Sequence, residues 1–390
     1  MAMKTATVLG AALAVVVLCL IGSYFVMENN NSDSQDFLGE WTLEHIATGK
    51  YVDDEPCYEV VETFDLEMKI TDRKDGFYNI QIGDEKAVCA LDGDILTFSM
   101  FNADVLRGFA KADGDWIKVS TVDYSTRSVT VLDFVRKGVD AGNGAPTVKS
   151  DMPADGTILD AFQAYRINSD STTDIMSNEY SFEMLENHGD VAFYISHCEK
   201  PYIDFRFVSI KIDEGQWFSM AIFNDDILMD NIYLSNGNIY SFSQEELVDE
   251  NRVWYVAYGD AAKHQTIPAK LAGLSFEGKE KAMLFDCEPN LIREFSNDIT
   301  LTIDAQSDDI ILISTDYGGE NFHGTAQWAS FVAKSDGGYM FFIQSQFFYE
   351  GKHYFGYYSG TIDSNLKKVS FNGVADCDYG KYYIVVSQSY

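Results

Sequence analysis

Apolar and polar residues alternate along most of the chain after residue 36, with the period of two that is typical of half-buried β-strands. In the first hundred residues of this part, short acidic turns separate the alternating segments, and Asp113-Gly114-Asp115 is a strong hairpin signal. The pattern predicts strands at Gly39–Ile46, Tyr58–Thr71, Phe77–Ile82, Ala87–Leu91, Ile95–Phe101, Val105–Ala110, Trp116–Tyr124 and Val129–Arg136. It therefore predicts an all-β unit, an antiparallel meander of about eight strands that forms a small barrel or a two-sheet sandwich.

Two tracts rich in Gly, Ala, Pro and Asp interrupt the alternation and predict linkers, at residues 138–157 and 259–270. They divide the chain into three β-barrel-like units, at residues 37–137, 158–258 and 271–390. Each unit has the length of a small domain.

The three units resemble one another in sequence. Residues 53–82 align without gaps on residues 286–315, so that Glu55-Pro56 falls on Glu288-Pro289. Residues 101–106 (FNADVL) likewise match residues 223–228 (FNDDIL). Both offsets fit one period of about 120 residues, and we expect three divergent repeats of one fold.

The amino terminus has a different pattern, an uncharged apolar run over residues 6–27. About 20 apolar residues suffice to cross a bilayer. Lys4 is the one basic residue before the run, and a polar stalk at residues 28–36 follows it. Positive charge stays cytoplasmic. Residues 1–27 are therefore predicted to be a single-pass signal anchor in the cell membrane, with an extracytoplasmic body. Secretion after signal cleavage is the alternative.

Charge narrows the range of partners. The residues after Met27 hold 27 basic and 61 acidic side chains, a net formal charge of −34 (27 minus 61). Nucleic acids bind to Lys and Arg, so we expect no nucleic-acid partner. The predicted partners are the membrane, through residues 6–27, and an unidentified ligand or cell-surface protein.

Five cysteines follow the anchor, and disulfides are permitted outside the cell. Because five is odd, at least one thiol stays free or pairs between chains. We expect Cys57 to lie near Cys89 in the first unit and Cys287 near Cys377 in the third, as possible disulfides. Cys198 has no partner in the second unit.

The ends of the first unit carry Gly39-Glu-Trp41 and, on the last predicted strand, Arg136. This arrangement resembles the lipocalin-like (calycin) family, in which a Gly-x-Trp on the first strand meets an Arg from the last strand at the closed end of a β-barrel. The resemblance implies that Trp41 and Arg136 are structural residues, with the ring stacked on the guanidinium.

No catalytic signature is found: the sequence has no nucleophile elbow, P-loop, dinucleotide motif or zinc-protease motif. Acidic residues are so numerous that a carboxylate pair is not informative. We predict no catalytic residue, no metal site and no cofactor, and we favour a non-catalytic binding protein over an enzyme. A hydrolase that acts on a polymer through carboxylates and a structural envelope component are the alternatives.

The segment Tyr339–Tyr358 is rich in Tyr and Phe on both alternating faces. A hairpin buried on both sides would explain it, and so would an exposed aromatic surface for a sugar, a peptide or a protein. In the second case Tyr354, Tyr357 and Tyr358 are the predicted binding residues, with partly exposed side chains.

Overall fold

The structure is a computed structural model that describes most of the chain after residue 36. The described residues are 37–62, 65–74, 77–92, 94–100, 106–123, 125–140, 150–167, 173–199, 202–223, 226–235, 238–245, 253–258, 270–286, 290–305, 311–317, 325–333, 337–349, 352–377 and 382–389. Within these ranges all elements are β-strands, which confirms the all-β prediction. No helix among them is long and apolar enough to span a membrane. The predicted anchor at residues 6–27 lies outside the described residues.

The first sheet holds nine strands in the order β2-β1-β3-β4-β5-β6-β7-β8-β9, and pairing of β1 with β9 closes it into a barrel. Its strands are β1 (Gly39–Val52), β2 (Glu55–Glu62), β3 (Glu67–Lys74), β4 (Phe77–Ile82), β5 (Glu85–Asp92), β6 (Ile95–Met100), β7 (Leu106–Asp113), β8 (Trp116–Asp123) and β9 (Ser128–Arg136).

The second sheet is a closed antiparallel barrel of eight strands. They are β10 (Ile158–Ile167), β11 (Thr173–Asn187), β12 (Val191–Glu199), β13 (Tyr202–Asp213), β14 (Gln216–Phe223), β15 (Asp226–Ser235), β16 (Asn238–Glu245) and β17 (Val253–Tyr258).

The third sheet is a closed barrel of the same kind. Its strands are β18 (Ser275–Asp286), β19 (Leu291–Ala305), β20 (Ile311–Tyr317), β21 (Thr325–Ala333), β22 (Tyr339–Tyr349), β23 (Lys352–Ile362), β24 (Val369–Cys377) and β25 (Tyr382–Ser389). Of the two predicted architectures, barrel and sandwich, the structure therefore has the barrel.

Side chains fill the interior of the first barrel. Alternate residues of its strands form one buried cluster, which includes Trp41, Ile80, Phe98 and Phe134. The Arg136 guanidinium carbon lies 4.3 Å from the centre of the Trp41 ring, and β1 pairs Trp41 directly with Arg136. Arg136 also donates a hydrogen bond to the Leu38 carbonyl, at 3.0 Å. This is the contact between the two side chains that the lipocalin-like resemblance implies.

One predicted strand, Tyr58–Thr71, is divided in the structure. β2 and β3 both pair with β1, β2 along residues 45–52 and β3 along residues 39–42. The hairpin between β1 and β2 turns at Asp53-Asp54, where both residues have positive φ, 50° and 68°. Two consecutive positive φ values are the geometry of a type I′ turn, which extends β1 six residues beyond its predicted end.

The part of the β1–β2 hairpin at residues 45–62, here called the first arm, packs on the second barrel. The Tyr51 hydroxyl donates to the backbone carbonyls of Phe207 (3.2 Å) and Tyr194 (3.4 Å). The rings of Tyr58 and His188 stack with centres 4.1 Å apart. The arm therefore fixes the first barrel against the second.

Candidate functional site

The candidate site is a cavity of about 770 Å³ between the first and second barrels. Its polar lining residues come from both barrels and from the segment that precedes β10. They are Asp94, Lys111, Asp113, Trp116, Lys118, Asp133, Ser150, Asp151, Asp190, Lys211, Asp213 and Glu214.

The first barrel contributes a row of charged residues that runs straight across four strands. Lys111 on β7 pairs with Lys118 on β8, and Lys118 pairs with Asp133 on β9. Asp133 in turn pairs with His45 on β1, and their side chains meet at 3.2 Å. Neighbouring residues of these strands, such as Ile117 and Phe134, point into the barrel core, so the row lies on the outer surface.

Carboxylates of the second barrel neutralise the two lysines. Lys118 forms an ion pair with Asp190, which lies in the turn between β11 and β12. Lys111 forms one with Asp213 at the end of β13, and a second with Asp94 of its own barrel at 3.1 Å. Lys111 and Lys118 are adjacent and repel one another. The carboxylate partners offset this repulsion, so the second barrel can cover the row.

The second barrel adds a third lysine, Lys211 on β13, whose side chain is one-tenth exposed. Its ammonium lies 3.3 Å from Asp151. Asp151 also accepts a hydrogen bond from the Trp217 indole at 2.7 Å and one from the Gly215 amide. Ser120 of the first barrel donates to the Lys211 carbonyl at 3.0 Å. The segment before β10 is thus tied into the wall of the cavity.

Two groups in the cavity have shifted pKa values. Burial raises the pKa of Asp133, and the charge of Asp190 adds to this, while Lys118 and His45 oppose it. For Lys111, burial lowers the pKa, but the carboxylates of Asp213 and Asp94 outweigh burial and raise it. Lys111 is therefore held as a cation, whereas Asp133 takes up a proton more readily than an ordinary aspartate does.

The sequence-predicted site residues lie elsewhere. Tyr358 is on β23 in the third barrel and is only 6% exposed, on the same strand face as the buried Ile362. The partial exposure that the binding-surface interpretation requires at Tyr358 is therefore wrong, and burial of this residue fits the alternative of a covered hairpin. The side chains of Tyr354 and Tyr357 lie outside the described residues, and their binding role stays a prediction.

The structure tests one of the two predicted cysteine pairs. Cys57 and Cys89 are free thiols, so the predicted bond between them is not formed. Cys89 lies in the core of the first barrel, whereas Cys57 lies on β2 in the first arm, opposite Lys50. Cys287 and the Cys377 side chain lie outside the described residues, and that pair is untested.

Among the described residues no group of three or more His, Cys, Asp and Glu side chains is placed to hold a metal ion. In the first sheet β2 pairs with β1 alone, so the closed ring is made of the eight strands β1 and β3–β9. The fold and the cavity define an all-β protein of eight-stranded antiparallel barrels with a charged cavity between two of them.

Comparisons with known proteins give a coarse result. No protein-family model matches the chain, and no curated protein matches it either. One similar solved structure is a protein of unknown function from the DUF3598 family of Nostoc punctiforme (10% identity, 59% of this chain and 94% of that chain, TM-score 0.26). A second is a transferrin binding protein B from Haemophilus parasuis Hp5 (10% identity, 90% of this chain and 75% of that chain, TM-score 0.22). A third is the isotype 1 transferrin binding protein B from serogroup B Neisseria meningitidis (12% identity, 90% of this chain and 76% of that chain, TM-score 0.22). The likeness is limited to a coarse β-barrel character.

Proposed function

We propose that the chain is a membrane-anchored, extracytoplasmic β-barrel protein that binds a ligand or a protein partner at the cell surface without catalysis. The observation that carries this proposal is the polar cavity between the first and second barrels. Side chains fill the interior of the first barrel, so the space for a ligand lies between barrels rather than within this one.

The chemistry of the cavity favours binding over catalysis. The described residues that line it include no histidine and no cysteine, and each of the three lysines among them forms an ion pair with an aspartate. A lysine held as a cation cannot act as a nucleophile or base. Paired charges with fixed positions are instead what orients a polar ligand in a preformed site.

A single-pass anchor at residues 6–27 would hold the body outside the cell, and secretion after cleavage remains the alternative.

The proposal includes three divergent repeats. Two observations support them once β2 and β3, which both pair with β1, are counted together as the second strand of the first barrel. Residues 53–82 and 286–315 then contain the second and third strands of their barrels, and residues 101–106 and 223–228 both fall between the fifth and sixth strands. Tyr354 and Tyr357 are proposed as a second binding surface.

The test is a thermal-shift screen of the full chain in detergent against cations, anions, sugars and short peptides. Glu214→Trp would fill the cavity from an exposed hairpin turn, and Asp84→Trp, in the exposed β4–β5 turn outside the cavity, is the matched control. We expect at least one compound to raise the melting temperature of the wild type and of Asp84→Trp but not of Glu214→Trp. Compounds that stabilise all three proteins equally, or none, would contradict a binding role for this cavity.

One observation favours a second candidate function, the hydrolase. Asp133, with its raised pKa, lines the same cavity as Asp190, which is ion-paired with Lys118. Two carboxyl groups in different environments are the pattern of an acid–base pair. An assay on chromogenic polysaccharides and peptides separates the two functions: turnover that Asp133→Asn abolishes would favour the enzyme, and absence of turnover favours the binding protein.

A further inference from the structure

A second cavity, of about 480 Å³, lies on the outer wall of the first barrel across β3, β4 and β5. None of the described residues that line it is acidic, although the chain holds 61 acidic and 28 basic side chains. Its charged and polar lining residues are Lys69, Arg73, Lys86, Thr71, Asn79 and Gln81. Charges farther away than about 8 Å are largely screened at physiological salt. The lining, rather than the net charge of the chain, therefore sets the sign of the ligand, and it favours an anion.

The strand register places the two lysines on either side of an amide. Lys69 on β3 pairs with Gln81 on β4, and Gln81 pairs with Lys86 on β5. Their neighbours Ile70 and Ile80 belong to the barrel core, so this row lies on the outer surface. Adjacent strands lie about 4.8 Å apart, and the Cα atoms of the two lysines are therefore about 10 Å apart. One small anion cannot fill that span, whereas a ligand with two separated anionic groups can.

A β-bulge brings an arginine into the same lining. The register between β3 and β4 shifts between Asp72 and Lys74, so Arg73 is the extra residue of the bulge. Bulges re-aim side chains and are common next to active sites. Arg73 Nη1 donates to Asn79 Oδ1 at 2.9 Å, and the guanidinium carbon lies 4.9 Å from the centre of the Phe285 ring. These two contacts orient the guanidinium, which has further N–H donors for a ligand.

The lysines are accessible from solvent. Lys86 is exposed, and its side chain forms no ion pair with any residue that the structure describes. The Lys69 side chain is 55% exposed and pairs with the exposed Glu40 at 3.1 Å. Glu40 also pairs with Lys137, so it keeps a partner when Lys69 turns towards a ligand. Exposed ion pairs contribute little to stability, and a ligand anion can therefore compete for Lys69.

We propose that this cavity binds a short acidic oligosaccharide that carries carboxylate or sulfate groups. Lys69, Arg73 and Lys86 would bind the acidic groups through charge-assisted hydrogen bonds. Thr71 and Asn79 would bind the sugar hydroxyls between those groups. The volume lies in the range of small-molecule sites. This site is separate from the cavity between the first and second barrels, and the inference goes beyond the function proposed for that cavity.

The test is isothermal titration calorimetry of the full chain in detergent at about 150 mM salt, which screens general attraction between exposed charges. The probe is a heparin-derived tetrasaccharide, and the neutral maltotetraose and inorganic phosphate are the comparison ligands. Lys86→Gln removes an exposed cation, and Arg73→Lys keeps the charge but removes the planar fork. Lys279→Gln is the matched control, because Lys279 is an exposed lysine of the third barrel that pairs with Asp298.

We expect the acidic tetrasaccharide to bind the wild type at one saturable site, much more tightly than either comparison ligand. Lys86→Gln and Arg73→Lys should each weaken this binding about tenfold, the loss of one hydrogen bond between charged groups. Lys279→Gln should bind as the wild type does.

Four results would overturn the inference. The wild type gives no heat of binding with the tetrasaccharide, or all four proteins bind it equally, which would place the binding elsewhere. Maltotetraose that binds as tightly would show a sugar site without recognition of the anionic groups. Phosphate that binds as tightly would show a site for a single oxyanion. Each of these results leaves the proposed function of the cavity between the first and second barrels intact, because the thermal-shift screen with Glu214→Trp tests that cavity alone.

Discussion

The two cysteines of the first barrel, Cys57 and Cys89, differ in how deeply their thiols are buried. Cys89 is 0% exposed, and burial raises its pKa well above the usual value. Cys57 is half-buried on β2 in the first arm. Because the thiolate is the reactive form, the two side chains should differ strongly in reactivity.

We predict that iodoacetamide modifies Cys57 in the native protein at pH 8, and that it modifies Cys89 only after unfolding. Peptide mass spectrometry of protein labelled with and without denaturant measures both. A Cys57→Ser variant controls for the assignment. Equal native labelling of the two thiols, or a Cys57–Cys89 disulfide in non-reducing peptide maps, would contradict the packed first barrel.

His197 on β12 has a carboxylate at each ring nitrogen. Nδ1 lies 2.6 Å from Asp204 and Nε2 lies 3.3 Å from Glu183. Both nitrogens can donate only in the imidazolium form. Burial lowers the pKa of His197, but the two carboxylates outweigh burial and raise it.

We therefore predict that His197 stabilises the protein at low pH. A raised folded-state pKa gives a contribution that is fully present below the unfolded pKa of about 6.5 and is lost as the pH rises through the folded pKa. His197→Gln should lower the melting temperature more at pH 5.5 than at pH 8.5. An equal loss at both pH values would show that His197 contributes through packing alone.

At the scale of elements, the hairpin β7–β8 shows how much of the cavity the sequence contains. The turn at Asp113-Gly114-Asp115 is predicted from its residues, and counting outwards from it places Lys111 opposite Lys118. Two lysines directly opposite each other require nearby carboxylates. This pair of lysines is therefore the feature of the sequence that indicates a charged cavity at this place. The carboxylates themselves, Asp190 and Asp213, are about 70 and 100 residues away in sequence, so local patterns cannot identify them.

The strands were predictable to different degrees. Alternation with short Gly turns locates β4, β6, β8 and β9 to within about one residue, because each has one face in the core. The arm was missed. Its turn uses Asp53 and Asp54 in the left-handed region instead of a glycine, and the arm packs on a second barrel rather than on its own core. Tertiary contacts of this kind leave no periodicity in the sequence.

The arm gives a prediction at Gly49, where β1 touches the second barrel. A Cβ atom on Gly49 would lie 2.6 Å from Val191 Cγ1 and 3.2 Å from Val208 Cγ2, closer than packed atoms approach. We expect Gly49→Val to destabilise the contact by about 1–3 kcal/mol, as overpacking does. Small-angle scattering should then show a larger radius of gyration, and calorimetry a lower first melting transition.

Thr48→Val is the control for Gly49→Val. It places the same valine side chain at the preceding position of the strand, where it replaces another β-branched residue and where the native threonine contacts Thr130. Both variants should keep the first barrel folded. A Gly49→Val protein with the scattering curve of the wild type would show that the arm does not hold the two barrels together.

For the whole molecule, one kind of contact between barrels occurs twice among the described residues. The first arm packs on β12 and β13 of the second barrel, at Val191, Phe193 and Val208. The β18–β19 hairpin packs Met283 and Phe285 on Phe77, Val88 and Ala90 of β4 and β5. In both cases the first hairpin of one barrel contacts the third and fourth strands of another, when β2 and β3, which both pair with β1, are counted together as the second strand of the first barrel.

The orientation of the molecule relative to the membrane is the last prediction. The apolar run at residues 6–27 has Lys4 as the one basic residue before it, whereas the stalk that follows is acidic and polar. The excess of positive charge stays on the cytoplasmic side, so residues 37–390 should face outwards. A net formal charge of −34 keeps this body away from an anionic membrane surface.

Closed barrels resist proteases, so cleavage should begin at the predicted linkers, residues 138–157 and 259–270. We expect trypsin added to intact cells to cut the body at these linkers, while a cytoplasmic marker stays whole and a known surface protein is cut. Replacing Leu18 and Leu20 by Arg should abolish anchoring and leave the body fold unchanged, since these residues precede the first barrel. Protection of the body in intact cells, followed by digestion after lysis, would place it in the cytoplasm and refute both the orientation and the cell-surface function.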